Sequence, residues 1–134
     1  FMALMTIAKG KSKITETIFE NRMNHVDLLN QMGSSITVND NVAHINGVKK
    51  LRGMTLFGAD LRSSAALIIA ALTSNRISYI YGLEHLDRGY ENFELKLSKL
   101  GAQIEREITN KILREREYKS SNLNLEEIPD IKAA

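Results

Sequence analysis

Three arginines, Arg22, Arg62 and Arg88, are the residues whose positions in this sequence point most directly to chemistry. Each is predicted to lie where a strand ends or a helix begins, and α/β proteins contact their ligands from such positions. A guanidinium group binds a phosphate or carboxylate through two parallel hydrogen bonds, so three of them suit a ligand with several negative charges. The sequence therefore indicates an anion site.

The position of Arg62 strengthens this interpretation. Asp60 is a good residue to cap a helix that starts at Leu61, which places Arg62 in the first turn. Unsatisfied backbone N–H groups and the helix dipole favour an anion at this end of a helix. A guanidinium there is unfavourable against the dipole unless it faces a carboxylate or phosphate.

Two of the arginines also have an explanation without a ligand. Asp60 can cap the helix and pair with Arg62, and Asp87 or Glu84 can form a surface ion pair with Arg88. Exposed pairs of this kind contribute little to stability. Neither alternative is excluded by the sequence.

No metal or cofactor is expected. The three histidines, His25, His44 and His85, are too scattered for a zinc site, and solvated or capping roles are expected for them. The chain has no cysteine, which excludes disulfides and thiolate chemistry within it and fits a cytoplasmic location. The glycines are isolated, with no pattern that cradles a phosphate.

The composition is that of one soluble domain. The 134 residues are 43% hydrophobic and 25% charged, and the 18 basic and 16 acidic residues are mixed along the chain. The absence of a basic run makes nucleic acid an unlikely partner class. The longest apolar run, Ala65 to Leu72, is far shorter than the roughly 20 residues that span a bilayer, so no membrane segment is expected.

The apolar periodicity and the turn residues predict an alternation of helices and strands. In order, they are a helix over 1–8, a strand over 13–18, a helix over 26–32, a hairpin over 36–45, a strand over 54–57, a helix over 61–72, a strand over 77–81, a helix over 93–100 and a strand around Ile104. The helix over 61–72 is apolar on nearly all faces and is expected to be buried between layers.

The two halves of this order match each other. Each half has an apolar helix, a strand, a loop with an arginine, an amphipathic helix, a glycine and a further strand. Gly33 and Gly101 are 68 residues apart, and Arg22 and Arg88 are 66 apart, which indicates an internal repeat. Duplication explains the helices by mutual burial, but it does not require the arginines to recur.

Three strings resemble the family of enolpyruvyl transferases that act on UDP-N-acetylglucosamine. They are TETIFENR at 15–22, ADLR at 59–62 and HLDRGYE at 85–91. The resemblance covers about residues 1–108 and continues through Met32-Gly33, Leu100-Gly101 and 104–106. A related family that acts on shikimate 3-phosphate shares the fold and the phosphoenolpyruvate chemistry, and it is the alternative within this reaction class.

The resemblance implies an α/β (α+β) fold, in which repeated α-β units form an inside-out barrel. About two of the six units of the family would be present, over 1–46 and 47–110, both in the C-terminal part of one domain. Apart from the resemblance, the composition changes from Lys111 onward, so residues 111–134 are expected to fall outside the repeat as a charged extension, partly helical or mobile. Because the chain opens on an apolar helix without a cap, we expect it to be part of a longer protein.

The resemblance also implies roles for individual residues. Arg22, Arg62 and Arg88 would line the phosphoenolpyruvate pocket, with Arg88 as the best candidate for direct contact with the phosphate or carboxylate. Asp60 would fix the loop before Arg62 and belong to the catalytic set. The backbone around Ile18 would contact UDP-N-acetylglucosamine, although Ile18 can also be read as a core residue at a strand end.

The expected reaction is enolpyruvyl transfer from phosphoenolpyruvate to the sugar 3-hydroxyl of UDP-N-acetylglucosamine, at the start of peptidoglycan synthesis. The nucleotide-sugar domain and most of the catalytic groups would lie in the N-terminal part of the same enzyme, so this chain alone is expected to be inactive. The alternative of another class is a noncatalytic interaction module that keeps the fold.

Overall fold

The computed structural model of the protein describes residues 1–19 and 22–107 in full and residues 131–133 as backbone. These residues form five helices and seven strands. In chain order, they are α1 (Met2–Met5), β1 (Lys11–Thr15), α2 (Val26–Gln31), β2 (Ser35–Asn39), β3 (Val42–Asn46), β4 (Thr55–Phe57), α3 (Leu61–Ala71), β5 (Ser78–Tyr81), α4 (Glu84–Asp87), α5 (Phe93–Lys99), β6 (Ile104–Arg106) and β7 (Ile131–Ala133).

The strands form two sheets. The first has the order β1-β3-β2 and is antiparallel throughout, with the β2–β3 hairpin closing at Asp40, which has a φ of 52°. The second has the order β4-β5-β7-β6; β4 and β5 are parallel, and β7 is antiparallel to both of its neighbours. The predicted hairpin is thus confirmed.

The two sheets repeat the same arrangement in register. One row of the first sheet places Ile45 of β3 opposite both Ser12 and Ile36. The corresponding row of the second sheet places Ala133 of β7 opposite both Ser78 and Ile104. The central strand β7 is therefore the counterpart of β3, and the predicted internal repeat is confirmed in the sheet topology.

Residues near the C-terminus belong to this repeat. The extension predicted over 111–134 lies outside the described residues from 111 to 130, but residues 131–133 pair with β5 and β6. The prediction that the whole extension falls outside the repeat is therefore wrong for these three residues. The division into units over 1–46 and 47–110 stays a prediction.

Equivalent glycines end the amphipathic helices of both units. Gly33 has a φ of +89° and Gly101 a φ of +94°. The following N–H groups reach back to equivalent carbonyls, from Ser34 to Leu29 at 3.2 Å and from Ala102 to Leu97 at 3.1 Å. This is the left-handed helix ending in which glycine avoids the steric cost of a Cβ.

The core forms around α3, as the sequence predicts. Leu67, Ile68 and Ala71 of this helix are fully buried, whereas Ile69 is 39% exposed. The helix packs against α1, α2, α4 and β5. Buried apolar side chains of both units join the same cluster, so the two units share one core.

Three predicted boundaries are wrong. The helix α1 ends at Met5, because the buried Thr6 hydroxyl donates to the carbonyl of Ala3 at 2.6 Å and the chain turns towards Gly10. The strand β1 covers Lys11–Thr15 rather than 13–18. The predicted loop after β5 begins with the short helix α4, so Arg88 lies in the turn that directly follows this helix.

Two glycines bring the ends of the parallel strands β4 and β5 together. The Gly58 N–H donates to the Tyr81 carbonyl at 2.8 Å. A Cβ on Gly82 would lie 2.5 Å from the Gly58 carbonyl oxygen, and a Cβ on Gly58 would lie 2.0 Å from the Ser64 hydroxyl oxygen. The segment after β5 can approach Gly58 this closely only because Gly82 lacks a side chain, and α3 can do so only because Gly58 lacks one.

We expect Gly82→Ala to destabilise the protein more than Gly101→Ala. Both glycines have positive φ, but a Cβ at Gly101 meets no atom within 4 Å. Gly101→Ala should therefore cost only the backbone strain, roughly 1–2 kcal/mol. Gly82→Ala should add about 1–3 kcal/mol of overpacking against Gly58. Urea unfolding of both variants measures the difference, and equal losses would contradict the close approach.

Candidate functional site

The candidate site lies at the carboxyl ends of β4 and β5. The strands are parallel, with Phe57 opposite Tyr81 and their rings stacked at a centroid distance of 5.0 Å. The segment after β4 carries Asp60 and Arg62, and the segment after β5 carries Arg88. Two of the three predicted arginines, Arg62 and Arg88, are therefore carried by segments that leave the same edge of the sheet.

Asp60 caps α3, as predicted. One of its carboxylate oxygens, Oδ1, accepts the backbone N–H groups of Arg62 and Ser63, both at 2.8 Å. In return, the Ser63 hydroxyl accepts the Asp60 N–H at 3.0 Å, which completes a capping box. These two backbone donors are thus occupied, so an anion at this helix end would be bound by side chains rather than by those N–H groups.

The second carboxylate oxygen of Asp60 joins the two repeat units. Its Oδ2 accepts a hydrogen bond from the Asn24 side-chain amide at 3.0 Å. Partial burial by itself raises the pKa of Asp60, but hydrogen bonds from Ser63, Asn24 and Arg62 outweigh it and lower the pKa overall. The carboxylate is therefore held ionised, and it fixes the turn that follows Arg22 against the start of α3.

The turn that carries Arg22 is organised by Glu16. Its carboxylate accepts the N–H groups of Ile18 at 2.8 Å and Phe19 at 3.3 Å, and Arg22 lies 3.4 Å from its other oxygen. These contacts, led by the Ile18 hydrogen bond, lower the pKa of Glu16. The Arg22 guanidinium also lies 4.1 Å from the centre of the Phe19 ring. Arg22 is therefore oriented by two groups of its own turn, within the described residues.

Ile18 is not a core residue. Its side chain is 73% exposed, and it lies beyond the end of β1 because Glu16 captures its N–H and turns the chain out of the sheet. The alternative of a strand-end core residue is therefore wrong. The turn presents the side chains of Ile18 and Phe19 to solvent, Phe19 being 58% exposed.

Arg88 reaches the same region through Gly89. A Cβ on Gly89 would lie 2.7 Å from Leu61, so the backbone next to Arg88 packs closely on the residue next to Arg62. Both arginines have exposed side chains, and within the described part of the chain neither forms a salt bridge. The predicted side-chain pairing of Asp60 with Arg62 is not formed there.

The predicted ion pair at Arg88 is also wrong. Asp87 pairs instead with Arg106, whose two terminal nitrogens lie 2.7 and 3.0 Å from the Asp87 oxygens. Glu84 is exposed and forms no salt bridge within the described residues.

His25 departs from the solvated role expected of it. It is half-buried beside Asp60, and it precedes α2 without capping that helix through its side chain. Burial lowers its pKa, and this effect exceeds the opposing influence of the Asp60 charge.

In the part of the chain that the structure describes, no cluster of acidic, histidine or cysteine side chains could hold a metal ion. None of the helices described has the length and apolar character that a membrane span requires.

The structure thus brings the three arginine-bearing segments into contact through Asp60 and Leu61. Sequence reasoning missed Glu16, Asn24 and Gly89, the residues that make or permit these contacts. Glu16 has a local signal, since it is an acid just beyond a strand and six residues before an arginine. Asn24 has none, because its partner is 36 residues away.

We expect Asp60→Ala to lower the free energy of unfolding by about 1–2 kcal/mol, the usual cost of a lost cap. Asp60→Asn should lose less, because asparagine caps a helix equally well. Since the folded-state pKa is lowered, the stability due to ionised Asp60 is present above pH about 4 and is lost as the pH falls through the folded-state value. Asp60→Asn should remove this acid dependence.

Urea unfolding between neutral and acid pH measures both effects. Asp27→Asn is the matched control, since Asp27 is an exposed aspartate in the first turn of α2. An acid dependence that survives in Asp60→Asn but vanishes in Asp27→Asn would contradict the assignment.

Comparison with known proteins supports this fold. A family model described as EPSP synthase (3-phosphoshikimate 1-carboxyvinyltransferase) matches residues 1–97. A UDP-N-acetylglucosamine 1-carboxyvinyltransferase of Prochlorococcus marinus subsp. pastoris, strain MED4, is 75% identical over 134 residues, which are all of this chain and 29% of that protein. The protein of the same name from Prochlorococcus marinus strain MIT 9312 is 63% identical over the same share. This chain therefore spans less than a third of the length of these relatives.

Solved structures show the same fold. The enolpyruvyl transferase NikO from Streptomyces tendae superimposes with a TM-score of 0.68 and 31% identity, over 76% of this chain and 24% of that one. An EPSP synthase from Acinetobacter baumannii gives a TM-score of 0.66 over 99% of this chain and 27% of that one, at 15% identity, and so shows the fold alone. The predicted fold class is confirmed, and with the family model matched over residues 1–97 the chain belongs to the EPSP synthase family of enolpyruvyl transferases.

Proposed function

We propose that the full-length protein containing this chain transfers the enolpyruvyl group of phosphoenolpyruvate to the 3-hydroxyl of UDP-N-acetylglucosamine and releases phosphate. The relative of 75% identity carries the name of this activity, and identity at that level extends over the whole chain. The reaction belongs to peptidoglycan synthesis in the cytoplasm, and through it to cell shape and division. The remainder of the same protein would supply the nucleotide-sugar domain.

The observation that carries the proposal is the pair of exposed arginines beside a capped helix start. Arg62 and Arg88 are held on adjoining backbone segments by Asp60 and Gly89, and neither is neutralised by a carboxylate within the described residues. Phosphoenolpyruvate carries both a phosphate and a carboxylate, each of which matches the guanidinium fork. Two cations arranged in advance suit such a ligand.

The same arrangement suits the chemistry. In the proposed reaction, C3 of phosphoenolpyruvate takes a proton while the sugar hydroxyl loses its proton and its oxygen bonds to C2. The tetrahedral adduct then loses a proton from C3 and expels phosphate from C2, which restores the double bond. The carboxylate stays on C2 throughout, and the phosphate stays attached to C2 until that last step. Fixed positive charge from Arg62 and Arg88 stabilises these groups without having to reorganise.

Arg22, Asp60 and Ile18 are given supporting roles. Arg22 adds positive charge at the edge of the pocket, from a turn that Glu16 and Phe19 hold in place. Asp60 keeps that turn and Arg62 in mutual register. The backbone at Ile18, on the exposed part of the same turn, contacts UDP-N-acetylglucosamine. Glu20 and Asn21, between Phe19 and Arg22, lie outside the described residues.

Shikimate 3-phosphate is the alternative acceptor, because the family model carries the name of the enzyme that uses it. Identities of 75% and 63% to proteins named for UDP-N-acetylglucosamine, against 15% to an EPSP synthase, favour the nucleotide sugar. A noncatalytic module is the other alternative, but such a module has no need for arginines kept free of carboxylates.

We expect Arg88→Ala in the full-length protein to slow turnover by about 30- to 1000-fold, through the loss of roughly 2–4 kcal/mol of transition-state stabilisation. Arg88→Lys should recover only part of this, because it restores the charge but not the fork. Steady-state kinetics with varied phosphoenolpyruvate measures the effect. Arg76→Ala is the matched control, since Arg76 is an exposed arginine that precedes β5, whereas Arg88 follows that strand.

Binding of UDP-N-acetylglucosamine, measured by calorimetry, should change little in Arg88→Ala, because the nucleotide-sugar domain in the remainder of the protein would hold most of that substrate. The opposite result, in which nucleotide-sugar binding is lost while phosphoenolpyruvate turnover stays intact, would refute the role given to Arg88.

A further inference from the structure

Arg106 forms ion pairs with two carboxylates, those of Asp87 and Glu94. It ends β6, and its side chain is 26% exposed. Its two terminal nitrogens, Nη2 and Nη1, lie 2.7 and 3.0 Å from the two carboxylate oxygens of Asp87. Nη2 also lies 3.3 Å from Oε2 of Glu94, whose side chain is only 12% exposed. One guanidinium therefore binds two carboxylates, one of them in the bidentate geometry that is strongest for this pair.

These two carboxylates bracket the segment that carries Arg88. Asp87 is the last residue of α4, and Glu94 is the second residue of α5. The residues between them include Gly89, which packs on Leu61, and Asn92, whose φ of 49° is a left-handed conformation. Arg106 thus fixes both ends of this segment to the second sheet.

The bidentate contact also means that Asp87 binds Arg106 rather than Arg88. A free Asp87 carboxylate would be the nearest anion in sequence to Arg88 and would compete with a bound ligand for it. In the structure, both oxygens of Asp87 are bound to Arg106, and Arg88 is exposed without a carboxylate partner among the described residues. Arg106 on β6 therefore keeps Arg88, which follows α4, available for a ligand.

We propose that Arg106 is a positioning residue for the anion site. It holds Asp87 away from Arg88 and fixes the backbone that presents Arg88, without itself touching the substrate. The proposal rests on the proposed function, in which Arg88 binds phosphoenolpyruvate. It adds Arg106, which lies 18 positions beyond Arg88 in the sequence, to the residues on which the site depends.

The first test is Arg106→Met in the full-length protein, which keeps the length of the side chain and removes the charge. We expect the KM for phosphoenolpyruvate to rise about tenfold, corresponding to about 1.4 kcal/mol, with the KM for UDP-N-acetylglucosamine unchanged. The KM of Arg106→Lys for phosphoenolpyruvate should lie between those of Arg106→Met and the wild type, because lysine keeps the charge but not the planar fork of the guanidinium group. An unchanged KM for phosphoenolpyruvate in Arg106→Met would overturn the proposal.

A double variant separates competition for Arg88 from general loss of structure. In Arg106→Met/Asp87→Asn, no carboxylate remains at position 87 to compete, so the KM for phosphoenolpyruvate should return to within about threefold of the wild type. Asp87→Asn alone should change this KM little, because Arg106 still pairs with Glu94. A double variant as impaired as Arg106→Met, or more so, would overturn the proposed competition.

Two further measurements complete the experiment. Lys96→Met is the matched control, because Lys96 lies on the same helix as Glu94 in an exposed pair with Glu91 at 3.8 Å, and it should leave both KM values unchanged. Arg88→Ala distinguishes the two levels of inference. If it leaves both the turnover and the KM for phosphoenolpyruvate unchanged, the proposed function is at fault. If it impairs either of them while Arg106→Met leaves the KM for phosphoenolpyruvate unchanged, only the role of Arg106 fails.

Discussion

The carboxylate of Asp60 is the interaction on which the rest of the candidate site depends. One of its oxygens caps the start of α3 in a capping box, and the other accepts a hydrogen bond from Asn24 of the first repeat unit. Because the hydrogen bonds lower the pKa of this group despite partial burial, an ionised carboxylate links residues of the two repeat units, which also share one core. The relative placement of Arg22 and Arg62 follows from that joint.

The capping also decides how an anion can be bound. Helix starts often bind anions through free backbone N–H groups, but here the N–H groups of Arg62 and Ser63 already donate to Asp60. Recognition must then come from side chains, and guanidinium groups are suited to it because they carry charge and direction together. A site of this kind depends on keeping nearby carboxylates away from Arg62 and Arg88, as Asp87 is kept by its pairing with Arg106.

The repeat explains why the same parts occur twice with different uses. Both units have a central strand that is antiparallel to its two neighbours, and both end their amphipathic helix at a glycine with positive φ. In the first unit a tight hairpin leads into the central strand, whereas in the second the central strand is supplied by residues 131–133. The shared frame sets the positions of the loops, and the loop residues differ: Glu16 orders Arg22 within one turn, while Arg106 reaches from a strand to order the segment at Arg88.

The sequence by itself determined the order of the elements apart from α4 and β7, and also the repeat, the cap at Asp60 and the three arginines. Each of these leaves a local pattern of spacing or residue type. It predicted helix α3 well, since eleven largely apolar residues after a capping aspartate admit few other conformations. It placed the ends of α1 and β1 wrongly, because Thr6 and Glu16 bond to nearby backbone groups and override the periodicity. The partners of Asp60 and Asp87 were decided only by the tertiary structure. Asn24 and Arg106 are 36 and 19 residues away from them, and only folding around the shared core brings such distant side chains within hydrogen-bonding distance.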